Sequence, residues 1–187
     1  MTNNVALPQE RLALNPKALL SVAGAGAAVA VALGVYGRVH SPTGGRIFDL
    51  GFSSLKSMKS FLATLSFGLI VLQVVSALAM FGRLPGLRTM PKWVPFAHRW
   101  SGTTAFVVSL PVAYHCLWAL GLKSGETRVL VHGLFGCAFY GAMTTKLLAL
   151  RAEGLPRWSI PVVGSVLVTT FTALWLTSAL WFYTGSI

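Results

Sequence analysis

The sequence predicts an all-α protein, built as a bundle of five transmembrane helices. Hydrophobic residues make up 55% of the 187 residues and charged residues only 10%, whereas soluble domains carry about 25% charged residues. Five apolar segments follow one another, each about 20 residues or longer, which is enough for a helix to cross roughly 30 Å of hydrocarbon. The predicted spans are 18–37, 60–82, 96–121, 127–150 and 158–183. Because spans and short connections use up the chain, we predict a single transmembrane domain over residues 1–187.

The first span is rich in glycine and alanine. Small residues let helices approach closely in a membrane, so we expect this helix to pack tightly against a neighbour. Residues 1–17 are polar, and no small-residue cleavage site follows before Tyr36 and Arg38, so we interpret the span as a retained helix. Residues 41–57 form the longest connection, with a predicted interfacial turn around Ile47 to Leu55.

Proline and glycine separate the later spans. A proline cluster between residues 85 and 95 divides the second span from the third, and a glycine–proline turn at 154–156 leads into the fifth. Inside the third span, Pro111 predicts a kink one turn before His115. The connection at 123–127 is short, so the third and fourth spans are expected to pack as a tight antiparallel hairpin.

The formal net charge of +11 does not indicate a nucleic-acid-binding protein. The 15 lysines and arginines lie between or at the ends of the spans, where lipid phosphates and the positive-inside rule account for them. They form no basic face interleaved with aromatic residues. Nine fall on the side of the N-terminus and six on the other. This favours a multi-pass protein of the cytoplasmic membrane, with the N-terminus inside, the C-terminus outside and the lipid bilayer as its first partner.

Two histidines lie at matching depths on either side of the predicted hairpin. The turn centres near residue 124, with His115 about nine residues before it and His132 about eight after it. Their depths therefore agree within about one residue's rise of 1.5 Å. A metal-ligating side chain inside a membrane indicates a functional site. Two imidazoles that face one another from adjacent helices can supply both axial ligands of a haem b, so we predict His115 and His132 as the metal ligands of one such haem.

Nearby glycines and arginines support a haem site. Gly136 follows the second histidine by four residues and shares its helix face, where the missing side chain leaves room for a flat macrocycle. Gly133 adds space beside the ligand. Arg128, one turn before that histidine, could pair with a haem propionate, as could Arg38 or Arg46 on the same side.

Other interpretations of these histidines stay open. The pair could be structural or handle protons, or could bind a metal without haem, although no carboxylate lies near that depth. A second haem is not expected, because His98 lies 17 residues before His115, rotated about 100° from a common face. His98 more naturally caps the third span near the inner headgroups, or helps to bind a quinone or an anionic lipid. His40 is expected to be exposed or interfacial, and is the alternative axial ligand.

Several functional classes find no support in the sequence. The four acidic residues all lie in tails or connections, whereas a coupled transporter needs a carboxylate at mid-membrane depth. No nucleophile elbow, phosphate-binding loop or HExxH motif occurs, so no catalytic residue is assigned. An electron-transfer protein is therefore favoured over a stand-alone enzyme.

Three stretches carry a resemblance to known proteins: HRWSGTTAF at 98–106, PVAYHCLWALG at 111–121 and RVLVHGLFGCAFYG at 128–141. From about His40 to Phe182 the chain resembles an uncharacterised bacterial family of five-helix membrane proteins, which implies no activity. More loosely, the histidine-bearing helices are similar to those of cytochrome b561 and ferric-reductase-like membrane cytochromes. That resemblance implies a b-type haem between transmembrane histidines, although one obvious pair replaces the usual four histidines and two haems.

We therefore expect a small b-type membrane cytochrome with one bis-histidine haem. It would relay single electrons between quinone, or a partner subunit of a larger respiratory or redox complex, and an acceptor at the outer face. The competing hypothesis is a non-redox accessory subunit that packs against a larger membrane complex, which the glycine-rich first span fits equally well.

Overall fold

The structure is a computed structural model that describes residues 15–44, 48–87 and 89–185. In these ranges the chain forms five long helices and no strand. They are α1 (Pro16–Val39), α2 (Leu55–Met80), α3 (Val94–Leu120), α4 (Thr127–Ala149) and α5 (Ser159–Tyr183). The bounds follow the predicted spans closely, the largest difference being the start of α2, which lies five residues earlier than expected. The all-α prediction is confirmed.

Four of these helices, α1, α2, α3 and α5, are long and apolar enough to cross a membrane. Their outward surfaces carry large hydrophobic side chains; Leu20, for example, is 72% exposed. In water such a surface would be unfavourable, whereas lipid covers it readily. α4 has the required length but is less apolar, because it carries His132, Lys146 and two adjacent threonines. The structure thus indicates a membrane protein, with four helices that are capable of crossing a membrane by their length and hydropathy.

Local sequence explains where the helices begin and end. The Asn15 side chain accepts a hydrogen bond from the Ala18 N–H, and Pro16 occupies the first helical position of α1. Ser54 caps α2 in the same way, which is why that helix begins before its apolar run. α3 ends at Gly121, whose φ of 66° a glycine adopts without strain. Of the predicted interfacial turn, Ile47 lies outside the described residues.

The helices form a ring around a common centre. α1 packs against α4, α4 against α5, α5 against α2 and α2 against α3. The ring closes where the end of α3 returns to α1, since the Leu122 N–H donates to the Gly37 carbonyl at 2.6 Å. This hydrogen bond lies at the end of the bundle where α1, α3 and α5 end and where α2 and α4 begin, which we call the His132 end.

α3 and α4 are neighbours in sequence but face each other across the centre. They meet at Tyr140, whose hydroxyl lies 2.9 Å from the Ser109 hydroxyl and whose ring packs edge-on against Phe106. α3 and α4 therefore do not form the tight hairpin that the short connection predicts. The reason is that other contacts hold each helix, α4 by α1 and α5, and α3 by α2.

Glycines bring α1 and α4 into close contact. A Cβ atom on Gly26 would lie 2.6 Å from the Gly141 carbonyl oxygen, and a Cβ on Gly141 would lie 2.6 Å from the Gly26 carbonyl oxygen. Only hydrogen fits at both positions. The prediction that the small-residue first helix packs tightly on a neighbour is confirmed.

Two helices change geometry at the His132 end. His115–Leu120 in α3 and Leu176–Leu180 in α5 are π-helical, a form that is rare and is frequent at functional sites. Pro111 lies one α-helical turn before the first of these segments, and the His115 N–H reaches both the Pro111 and Val112 carbonyls. The disturbance expected from this proline therefore takes the form of a wider helical turn that begins at His115.

Candidate functional site: an apolar cavity at the centre of the bundle

A cavity of about 310 Å³ lies inside the ring of helices. Each helix contributes to its wall, with Leu33 from α1, Ala63 from α2, Cys116 from α3, His132 from α4 and Phe171 from α5. The volume is at the lower end of the roughly 300–1,000 Å³ typical of small-molecule sites. Most of the wall is apolar. Its polar side chains are Ser109, Cys116, Lys123, His132, Cys137, Tyr140, Trp175 and Ser178.

His132 lies on this wall in a defined tautomer. Its Nδ1 is 3.0 Å from the Thr177 hydroxyl oxygen, and that hydroxyl already donates its hydrogen to the Ala173 carbonyl at 2.7 Å. The hydroxyl has a single hydrogen and gives it to this carbonyl, so we assign the imidazole proton to Nδ1, which donates to the hydroxyl oxygen. The neutral ring therefore has its lone pair on Nε2. A histidine held in this way is the form that binds a metal.

His115 is held in the same tautomer but does not line the cavity. Its Nδ1 lies 2.9 Å from the Pro111 carbonyl oxygen, which can only accept, so Nδ1 donates and Nε2 has the lone pair. The side chain is fully buried, and Nε2 has no hydrogen-bond partner among the described residues. The ring lies edge-on against Phe48, 4.5 Å between centroids. Within the described chain no hydrogen bond or ring contact joins His115 to His132, so their shared ligation of one iron stays a prediction.

The two predicted glycines have different surroundings. Gly136 lines the cavity, and a Cβ there would meet only a Leu174 methyl group, at 3.8 Å. This position is open to the cavity, and its role beside a haem stays a prediction. Gly133 also borders the cavity, but a Cβ there would collide with the side chain of Leu122. Its missing side chain therefore makes room for the α3–α4 connection as well as for a ligand.

Of the predicted arginines, Arg128 and Arg38 do not line the cavity. Arg128 donates to the Thr177 carbonyl at 2.7 Å, and its guanidinium carbon lies 3.8 Å from the centre of the Trp181 ring. Arg38 is exposed and donates to the Ser124 hydroxyl at 3.4 Å. Arg46 lies outside the described residues. These contacts occupy Arg128 and Arg38 at the rim of the bundle.

Two lysines that the sequence did not single out lie at the His132 end of the bundle. Lys123 lines the cavity, two residues after the glycine that ends α3. Lys59 lies one turn before Ala63, a wall residue on the same face of α2. In the sequence both lysines look like ordinary headgroup-facing cations, and no local pattern separates them from the others.

The two other histidines take part in separate clusters. His40 is partly exposed, and its ring packs against both Tyr36 and Trp118, with centroid distances of 4.9 and 4.8 Å. Its Nε2 is buried and without a partner in the described residues, so it is less exposed than predicted. His98 lies in the second turn of α3, and its Nδ1 is 2.9 Å from the Ser76 hydroxyl of α2. It therefore links two helices instead of capping one. No group of three or more metal-ligating side chains occurs in the described ranges.

A family model matches residues 19–187, nearly the whole chain. The chain belongs to the DUF6529 family, a family of unknown function. The predicted membership of an uncharacterised family is thus supported, and the looser likeness to cytochrome b561 stays a prediction. Comparison with curated proteins and with solved structures gives no match. In this DUF6529 member, the features that indicate a function are the cavity and His132 on its wall.

Proposed function

We propose that this protein is a membrane cytochrome that binds one b-type haem in the central cavity. One observation carries the proposal: His132 lies on the wall of an apolar cavity and keeps its Nε2 lone pair available, because Thr177 engages Nδ1. A bound haem supplies one-electron chemistry, and the chain contributes ligation, burial and electrostatic tuning. The electron donor in this proposal is a quinone or a partner redox subunit, and the acceptor lies at the outer face.

The residues at the site fit a haem in three respects. The tautomer of His132 is the ligating one. Gly136, one turn further along α4, leaves the wall flat where a macrocycle needs space. The mostly apolar lining excludes water from the iron. In this proposal α4 also crosses the membrane, since α1 and α5 flank it and its histidine borders the cavity and not the lipid.

His115 is the second ligand in this proposal. A buried imidazole nitrogen without a partner costs about 1–3 kcal/mol, and an axial bond would satisfy it. His115 does not line the cavity, so in this proposal its ring turns toward the cavity to become a ligand. The spin state of the iron reports on this step. Two imidazole ligands give a low-spin haem, whereas His132 alone leaves the iron five-coordinate and high-spin.

The test is an optical spectrum of purified protein and single variants. We expect His132→Gly to lose the haem, free imidazole to restore it by replacing the missing ligand, and His115→Ala to convert a low-spin spectrum to a high-spin one. His98→Ala is the matched control, because its ring bonds Ser76 away from the cavity. Monodisperse elution on size exclusion verifies that each variant is folded. A haem spectrum that is unchanged in His132→Gly contradicts the proposal.

A further inference from the structure

We infer that the central cavity takes a ligand with an apolar body and an anionic end, and that Lys59 and Lys123 hold the anionic end at the cavity mouth. The inference concerns the shape and charge of the ligand and does not require iron. A haem satisfies it with its propionates, and a fatty acid satisfies it with its carboxylate.

The two lysines come from different elements at the His132 end of the bundle. Lys123 follows α3 and forms part of the wall. Lys59 is in the second turn of α2, on the face that presents Ala63 to the cavity four residues later.

The carboxylates of this region have other contacts. Glu126 lies 3.7 Å from the Arg128 guanidinium, and the Asp49 side chain accepts a hydrogen bond from the Gly51 N–H at 3.1 Å. In the described chain neither Lys59 nor Lys123 forms an ion pair. At the end of the apolar cavity where α2 begins and α3 ends, these two cations therefore have no acidic partner among the described residues.

This arrangement favours an amphipathic anion over a neutral ligand. The apolar wall stabilises a hydrocarbon chain or ring by burial, at roughly 25 cal/mol for each Å² removed from water. A carboxylate at the mouth then forms charge-assisted hydrogen bonds with ammonium groups, which are about twice as strong as neutral ones. A neutral ligand with the same apolar part is stabilised by burial alone.

The experiment compares acids with their neutral counterparts in the full-length protein in a non-ionic detergent. The probes are haem against its dimethyl ester, and palmitic acid against hexadecanol. The variants are Lys59→Gln, Lys123→Gln and the double variant. Lys56→Gln is the matched control, because this lysine lies on the same helix, three residues earlier, and is exposed. Haem binding is followed by absorbance and the lipid probes by equilibrium dialysis.

We expect each variant of Lys59 or Lys123 to weaken the binding of at least one acid on the order of tenfold. The affinity for the neutral counterpart should not change. Lys56→Gln should change neither affinity. A preference for haem identifies the propionates as the anionic end. A preference for palmitic acid alone supports this inference while the haem proposal fails. Equal affinity for acids and neutral counterparts, equal losses in Lys56→Gln, or no binding of any probe overturns the inference, whatever the spectrum shows.

Discussion

Replacing Gly26 with alanine tests the close contact between α1 and α4. A Cβ at this position would lie 2.6 Å from the Gly141 carbonyl oxygen, whereas ordinary van der Waals contact begins at 3.4 Å. The carbonyl belongs to the helix backbone and cannot rotate away. α1 and α4 must therefore separate by about 0.8 Å, and gaps of this size forfeit a quarter to a half of the dispersion energy of each contact.

The size of the effect follows from a comparison with Gly24→Ala. Gly24 lies two residues earlier on α1, is exposed, and a Cβ there would meet nothing within 4 Å. Both substitutions gain the same helix propensity, about 1 kcal/mol. Only Gly26→Ala has the cost of overpacking, about 1–3 kcal/mol. For a domain of this length 1 kcal/mol shifts the Tm by about 2–4 °C, so we expect Gly26→Ala to unfold about 2–12 °C below Gly24→Ala.

The assay is thermal unfolding in detergent, followed by tryptophan fluorescence at one fixed scan rate, since membrane proteins often unfold irreversibly. Gly141→Ala should destabilise in the same direction. The double variant of Gly26 and Gly141 should lose less than the two single losses combined, because both substitutions separate the same pair of helices. Equal Tm values for Gly26→Ala and Gly24→Ala would refute the close contact between α1 and α4.

Two further predictions concern the cavity. Gly136→Leu should fill the space beside His132 and lower haem occupancy several-fold, whereas Gly164→Leu, at a position with no neighbour within 4 Å, should leave occupancy unchanged in a pyridine haemochrome assay. Thr177→Val removes the acceptor for Nδ1–H of His132, so the imidazole becomes a weaker donor, the ferric state is less stabilised and the midpoint potential rises. A hydrogen bond contributes about 0.5–1.5 kcal/mol, which for one electron corresponds to about 20–60 mV. Thr177→Ser keeps a hydroxyl at this position, so the midpoint potential should stay at the value of the unsubstituted protein. Thr172→Val should also leave the potential unchanged, because that hydroxyl bonds only the preceding turn. A potential that falls or stays constant in Thr177→Val contradicts the role of Thr177.

The helices could be predicted from the sequence because each apolar run is bounded by polar, glycine or proline residues. The close packing of α1 could also be predicted, since glycine and alanine leave no side chain to hold a neighbour away. The separation of α3 from α4 could not be predicted from the sequence. A short connection fixes which ends are adjacent, but the contacts of α3 with α2, such as the hydrogen bond from Ser66 to the Ala105 carbonyl, decide how far the helices separate.

The direction of each histidine was the least predictable feature. Position along the chain fixes the depth of His115 and His132, but the face that each ring presents depends on the rotation of its helix. The π-helical turn that begins at His115 changes the number of residues per turn, so face assignments based on 3.6 residues fail from there onward. The turn in α5 has a related effect. Arg128 bonds the Thr177 carbonyl in this segment, and a residue predicted to meet a propionate meets the protein backbone instead.

The most direct test of the central claim is the haem content of the purified full-length protein. The cells are supplied with a haem precursor, and haem is quantified by pyridine haemochrome against protein concentration. We expect one b-type haem per chain, and none in His132→Gly. Protein that stays colourless, and that takes up no haem when haem is added after purification, would contradict the cytochrome proposal and leave the membrane bundle with its apolar cavity.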